Sequence, residues 1–314
     1  MNLIFEYAFD GGGNQGFRYV FDSIYETIKI HYPEVNLSRV HTRELYKECD
    51  SPCGRCGIST LKIINADNDK TTVLNFWDRG VEVMMHDFGW QTLNVVHVIG
   101  GLGIYLTVEE IKEKYNVKFD PFLYPLEQLT SYDYIQQYRK PYVLDEKIKK
   151  ACFIGWVYDS RKQITDILQK HPLFDIYDTN AGLRGENYYE KMSQYAMTLS
   201  LNGNGEWCLR DVESMGLGIP TLRSEMKTPF YKGLLPGINY IKGTEPSENA
   251  FMTYYGIPFK ETADRFIEAA ERTISNEDLL NSISKNNLEY YDNYLHLDNI
   301  VKEFFNVFDL EILK

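Results

Sequence analysis

Positive charge is scarce in this sequence. Its 314 residues carry 33 Lys and Arg against 45 Asp and Glu, a formal net charge of −12. Binding along a phosphate backbone needs clustered cations, so nucleic acid is disfavoured as a main partner. A polybasic attachment to an anionic membrane surface is disfavoured for the same reason. Net charge does not describe a single pocket, and a local basic site for one diphosphate stays open. Long apolar runs are missing too: nothing approaches the ~20 apolar residues of a spanning helix. The N-terminal segment has neither a charged leader nor an extended apolar core, so it reads as a first strand and not as a signal peptide. Cysteine is sparse and odd in number, at Cys49, Cys53, Cys56, Cys152 and Cys208. A reducing, cytoplasmic location is the simpler expectation.

What is present is globular. Hydrophobic residues make up 44% and charged residues 25%, and the length suits two domains of ordinary size. The 24 Tyr and 17 Phe suit clefts that hold ring-shaped polar ligands, and equally suit half-buried surface. The apolar segment 3–9 reads as a buried strand. It runs into Asp10-Gly11-Gly12-Gly13-Asn14-Gln15-Gly16 and then into 17–30, where Phe17, Val20, Phe21, Ile24, Tyr25 and Ile28 recur at helical spacing. Strand, glycine turn and helix open a Rossmann-like unit. Residues 60–65 and 71–77 read as two strands around the turn-forming Asp67-Asn68-Asp69, whose D-x-D form is therefore turn chemistry and not a metal clasp. Further strands are expected at 81–85 and 94–99. A helix is expected at 108–115, with Thr107 and Glu110 forming a capping box. The Tyr- and Pro-rich stretch 120–150 reads as a linker, with 135–139 helical.

A second βα series follows. Strands are expected at 151–156, 174–178, 196–202 and 219–223, and helices at 160–170, 187–195, 207–216, 266–275, 278–291 and 298–308. Within 196–225 an apolar strand leads to the loop Gly203-Asn204-Gly205. The next helix carries Arg210 and Glu213 one turn apart, on one face, and stops at Gly216 and Gly218 before Ile219-Pro220. Glycines let a backbone approach a ligand, and a helix N-terminus favours a diphosphate. A carboxylate further along can accept from ribose hydroxyls. The bland alternative for Arg210 and Glu213 is a weak surface ion pair.

These residues resemble a family. Arg210-x-x-Glu213-Ser214-Met215-x-x-Gly218-Ile219-Pro220 is similar to the R-x-x-E-A-x-x-x-G-x-P signature of exostosin-like and related glycosyltransferases, with Ser214 in place of Ala. Phe153-Ile154-Gly155-x5-Arg161 is similar to their F-x-G…R element. The two matches cover about half of the second half-chain. The E-x7-E retaining family is a poorer match, because Glu206 and Glu213 are one residue short of its spacing. The resemblance implies an α/β fold of two Rossmann-like domains facing across a cleft, of GT-B type. It places Glu213 on the donor ribose and Arg210 or Arg161 on the diphosphate, with Gly155, Asn202, Gly203 and Gly205 completing the donor site. It implies a class that often works without a bound metal, so no cofactor is required and the nucleotide sugar is a substrate.

Other groups keep two readings each. Gly11, Gly12 and Gly13 resemble the first loop of two-domain glycosyltransferases, which implies a place facing the interdomain cleft; Gly11, Gly13 and Gly16 also satisfy a G-x-G-x-x-G spacing, and a plain tight turn is the third reading. Asp10, at the carboxyl end of the first strand, is the candidate catalytic base. Cys49, Cys53 and Cys56 with His41 have the donor types of a structural zinc site, against a reading as loop thiols. His86-Asp87 and Asp78 flank strands and are more simply structural. Trp156 and Trp207 flank the two motif loops and are candidates for stacking, unlike Trp77 and Trp90.

The expected organisation is an acceptor-side domain over 1–145, a nucleotide-sugar domain over 146–296, and a terminal helix over 297–314 packing back on the first domain. The expected activity is transfer of a hexosyl or pentosyl group to the hydroxyl of a glycan or other acceptor. A nucleotide-sugar epimerase on the same fold and a non-catalytic sugar-nucleotide-binding module are the alternatives. Sugar modification of DNA bases is a third, disfavoured by the acidic charge. Oligomeric state is not legible.

Overall fold

In a computed structural model, residues 1–7, 15–41, 60–76, 93–100, 107–123, 125–179, 183, 185–202, 207–226, 231–245 and 258–314 are described. Strand β1 (Asn2–Tyr7) buries Leu3, Phe5 and Tyr7, the period-2 face of the first apolar run. Helix α1 (Gln15–His31) buries Phe17, Val20, Phe21, Ile24 and Ile28 of the expected stripe, while Tyr25 at its margin is half-buried. Four further strands, β2 (Asn36–His41), β3 (Thr60–Asn65), β4 (Thr71–Asn75) and β5 (Val95–Gly100), join β6 (Lys118–Asp120) in a sheet of order β2-β1-β3-β4-β5-β6. The sheet is mixed: β3 is antiparallel to both neighbours, while β1 with β2 and β4 with β5 and β6 are parallel.

The β3–β4 hairpin turns at 66–70, with Asp69 at φ 61°. Asp67 accepts from the backbone N–H and the side-chain amide of Asn2 at 3.0 and 2.6 Å, so the D-x-D form is a turn. Helix α2 (Val108–Tyr115) has the expected capping box. Glu110 N–H donates to Thr107 Oγ1 at 3.2 Å, and Thr107 N–H donates to Glu110 Oε2 at 2.7 Å. The stretch expected as a linker holds a longer helix than anticipated, α3 (Leu129–Tyr138), buried at Tyr132 and Ile135.

The second sheet is all parallel, in the order β11-β10-β9-β7-β8. Its strands are β7 (Ile148–Gly155), β8 (Phe174–Asp178), β9 (Tyr195–Ser200), β10 (Thr221–Ser224) and β11 (Ile241–Thr244). Helices α4 (Asp159–Leu168), α5 (Glu186–Ser193) and α6 (Leu209–Leu217) connect the first four strands, and α7 (Phe259–Thr273) and α8 (Glu277–Tyr290) follow the last. Successive residues of β7 serve different cores. Ala151 and Phe153 pack with Ile164, Leu168 and Phe266, whereas Cys152 and Ile154 pack with Met192, Val212 and Met215. Burial on both faces is why β7 and β9 read as nearly continuous apolar runs.

The chain runs from β7 outward to β8, then returns to the other side of β7 at β9. The point between β7 and β9 is thus a topological switch, where open α/β sheets leave a crevice at the strands' carboxyl ends. A π turn (Tyr291–Leu295) leads from α8 to α9 (Leu297–Val307), which packs on α1. Phe122 from the first half meets Tyr231 of the second at 5.6 Å and Phe304 of α9 at 6.3 Å between ring centroids. The side-chain amides of Asn65 and Asn68 donate to the carbonyl of Leu313 at 2.6 and 3.0 Å. Among the described residues no helix is long and apolar enough to cross a membrane.

Candidate functional site

The two sequence motifs converge on the switch point. The F-x-G element ends β7, and the Asn202 loop leaves β9 beside it. Arg161, in the first turn of α4, ties these two strand ends together. Its Nε donates to the Asn202 carbonyl at 2.9 Å, its Nη2 to the Leu201 carbonyl at 2.8 Å and its Nη1 to the Trp156 carbonyl at 3.3 Å. Arg161 is therefore a buried brace between the loops, with each guanidinium nitrogen engaged by backbone. Asn202 is buried, and its Oδ1 accepts from Ser224 Oγ at 3.2 Å, linking the end of β9 to β10.

Arg210, in the first turn of α6, reaches back to β7. Its Nε and Nη2 both donate to the Ile154 carbonyl, and its guanidinium lies 4.4 Å from the Phe153 ring centroid. Only 6% of the residue is exposed, and Nη1 has no hydrogen-bond partner among the described residues. A buried guanidinium nitrogen without a partner is costly. Gly155 makes the arrangement sterically feasible: a Cβ there would lie 2.0 Å from Arg210 Nη2. Its glycine requirement comes from the arginine's close approach to the backbone.

Glu213, one turn on, is 9% exposed. The surface ion pair with Arg210 does not form among the described residues. Instead Tyr188 OH donates to Glu213 Oε2 at 2.5 Å and Tyr189 OH to Oε1 at 2.9 Å. Burial raises the Glu213 carboxyl above its ordinary range, and the two phenols and Arg210 pull it back down in part. Both tyrosines stand in the first turn of α5, and burial raises each of their hydroxyls.

Two residues that spacing alone did not single out complete the frame. Asp211 and Arg223 form an ion pair at 2.9 Å with both side chains almost wholly buried. Asp211 Oδ2 also accepts from Cys208 N–H at 2.9 Å at the start of α6, and Arg223 sits 5.8 Å from the Trp207 and Tyr240 ring centroids. Removing one partner of such a pair costs about 3–5 kcal/mol. Its sequence signal was an Asp three residues after the cap Cys208 and an Arg inside a short strand. Ser214, which stands where the signature has Ala, joins Thr221 Oγ1 at 2.7 Å and so keeps its hydroxyl partnered. Gly218 adopts φ 70° and ends α6, and Ile219 N–H donates to the Ser214 carbonyl at 2.9 Å.

The two tryptophans separate. Trp207 is core, 2% exposed, whereas Trp156 is 59% exposed at the mouth of β7 and pairs with Tyr158 at 5.0 Å between centroids. Gly16 packs where a Cβ would lie 1.9 Å from the Leu126 carbonyl oxygen, and its N–H donates to Glu127 O at 2.8 Å. That N–H is engaged by backbone, which weighs against the G-x-G-x-x-G reading of the first loop. Asp10, Gly11, Gly12, Gly13, Gly203, Gly205, Glu206, Cys49, Cys53, Cys56, Asp78, His86, Asp87, Trp77, Trp90 and the side chain of His41 lie outside the described residues. Among the described residues no three His, Cys, Asp or Glu gather as a metal set.

No model of a known protein family matches the sequence, and no curated protein matches it. Solved structures do. The chain is 10% identical to a glycosyltransferase from Rickettsia africae over 99% of this chain and 98% of that one, with a TM-score of 0.46. It is 10% identical to an α-glucosyltransferase solved with UDP and a DNA containing an HMU base, over 100% of both chains, with a TM-score of 0.45. It is 15% identical to the pneumococcal O-GlcNAc transferase GtfA, solved with UDP and GlcNAc, at a TM-score of 0.39. That match covers 68% of this chain and 44% of GtfA, so the chain spans less than half of that protein's length.

Proposed function

We propose that the protein is a glycosyltransferase that binds a nucleoside-diphosphate sugar at the β7–β9 switch point and transfers the sugar to an acceptor hydroxyl. One observation supports the reading above the rest. A buried guanidinium with an unused donor, Arg210 Nη1, stands one helical turn from a buried carboxylate, Glu213, beneath the carboxyl edge of a doubly wound sheet. Arg210 would hold the diphosphate and Glu213 the ribose. Arg161 and Gly155 position the strand ends around them, Asn202 lies at the end of β9, and Gly203 and Gly205 are the further donor-site residues the motif implies. Trp156 offers an exposed ring face for stacking at the same mouth. The catalysis expected of such a site is positioning and electrostatic stabilisation of the leaving diphosphate.

The acceptor side belongs in this proposal to the first unit, 1–145, with Asp10 as the base and Gly11, Gly12 and Gly13 along the loop. Residues 146–296 form the donor unit and 297–314 the returning helix. Exostosin-like enzymes remain the family whose signature the α6 motif resembles, and a hexosyl or pentosyl group is the expected cargo. The free thiols of Cys152 and Cys208 fit a reducing, cytoplasmic setting. The test is turnover. Incubated with UDP-, GDP- and ADP-sugars and a mixture of glycan acceptors, the protein should release nucleoside diphosphate only when an acceptor is present. Conversion of the donor without acceptor would favour the epimerase, and tight binding without turnover would favour a non-catalytic module.

A further inference from the structure

Trp156 has a fixed backbone and a bare ring. Arg161 Nη1 donates to its carbonyl at 3.3 Å, and Arg210 Nη2 lies against the preceding Gly155. The side chain is nonetheless 59% exposed. Tyr158 backs it, with ring centroids 5.0 Å apart and planes at 50°. The Arg161 guanidinium in turn lies 5.2 Å from the Tyr158 centroid. Asp178, half-buried, stands beside this turn. It ends β8, pairs in register with Gly155, and its Oδ1 accepts from Val157 N–H at 3.4 Å.

We propose that Trp156 and Asp178 form a subsite for a saccharide acceptor, so that the hydroxyl receiving the sugar belongs to a glycan. The proposal rests on the reading of Arg210 and Glu213 as the diphosphate and ribose groups, and deepens it. Helix α6 joins the parallel strands β9 and β10, so it runs from the carboxyl edge of the sheet back towards the amino edge. Glu213 lies ~4.5 Å further along it than Arg210. A nucleotide held with its diphosphate on Arg210 and its ribose on Glu213 points its base inward, away from that edge. Trp156 follows the end of β7 and lies outward of Arg210, on the side where the diphosphate carries its sugar. The ring that meets Trp156 is thus a sugar and not the base. Asp178 narrows the choice. Its carboxylate repels a diphosphate and accepts from hydroxyls. It stands at the end of β8, on the flank of β7 opposite β9. The transferred sugar is bonded to the phosphate on the β9 flank, which leaves the β8 flank to the acceptor. A pyranose supplies what the pair needs: an apolar C–H face for the indole and edge hydroxyls for the carboxylate.

The experiment exposes the wild-type protein, saturated with UDP, to a printed glycan array. The best-bound glycan and UDP are then titrated calorimetrically into wild type, Trp156→Ala, Trp156→Phe and Asp178→Asn. The glycan should bind Trp156→Ala about tenfold more weakly, the scale of a lost ring contact and its buried area. Trp156→Phe keeps a ring face and should retain most of the affinity. Asp178→Asn keeps an acceptor for Val157 N–H but loses the charge, and should bind the glycan several-fold more weakly. UDP should bind all four proteins equally. Because Trp156 is exposed, its substitutions empty no core, and equal melting temperatures check that the variants fold. Weaker UDP binding in Trp156→Ala would make the ring a platform for the base and overturn the proposal. Glycan binding unchanged in Trp156→Ala or in Asp178→Asn would overturn it too, as would capture of no glycan by a wild-type protein that binds UDP. Each of these results leaves the donor reading standing, whereas no UDP binding to wild type would overturn both.

Discussion

Gly155 and Arg210 act as one unit, although they are far apart in the chain. The glycine was legible as a loop residue and the arginine as half of an i, i+3 pair. Their mutual dependence was not, because it arises only when α6 lays its first turn against the end of β7. The same folding step takes Glu213 away from Arg210 and gives it two phenols. Adjacent tyrosines at the start of a helix carry no distinguishing pattern, so Tyr188 and Tyr189 were invisible as partners. The environment of Glu213 has a measurable consequence. Its folded carboxyl is raised above the ordinary 4.5, chiefly by burial, so the folded state holds the proton more tightly than the unfolded one. Its contribution to stability is then fully present below the unfolded value and is lost as pH rises through the folded one. The stability of wild type minus that of Glu213→Gln, taken from urea unfolding at a series of pH values, should fall as pH rises above 4.5 and then level off. A flat difference, or one that rises, would contradict the burial argument.

At the scale of elements, most helices and the apolar strands were legible, and the edge strands β2, β6 and β11 were not. β2 lies at a sheet edge with residues 36–40 exposed or half-exposed, so it lacks an apolar face to announce it. β6 has three residues and β11 has four, one of them Gly243 beneath Phe266. Such strands form because a neighbour offers a hydrogen-bonding edge, which is a tertiary and not a local signal. The stop of α6 was legible, since glycine past the last apolar residue is the usual end of a helix. Gly218 has φ 70°, and a Cβ there would lie 3.0 Å from the Leu288 side chain on α8. Gly218→Ala should therefore lower the urea-unfolding stability by about 1–2 kcal/mol, the cost of a left-handed residue with a side chain. An unchanged midpoint would mean that the turn into β10 tolerates other backbone angles.

At the scale of the molecule, the alternation of strand and helix was enough to read an α/β fold with two sheets. Strand direction and order were less accessible. A single antiparallel strand, β3, interrupts the first sheet through a hairpin that could be read as such. The 2-1-3-4-5 order of the second sheet, which creates the switch point, is set by packing on both faces and leaves no mark in the residues. One core also runs through both halves. Phe5, Phe122, Val212, Tyr231 and Phe304 belong to one buried cluster, and α9 returns to α1. The residues at the switch point are thereby tied to both halves of the chain through α6, whose inner face is part of that cluster.

The central claim is that the β7–β9 switch point holds a nucleoside diphosphate through Arg210. It is tested most directly by titrating UDP into the wild-type protein and Arg210→Ala while following the melting temperature of both. Wild type should be stabilised by about 2.7 kcal/mol at 100 times its dissociation constant, and the variant should lose most of that shift at the same UDP concentration. An equal shift in both proteins would place the nucleotide elsewhere and contradict the account.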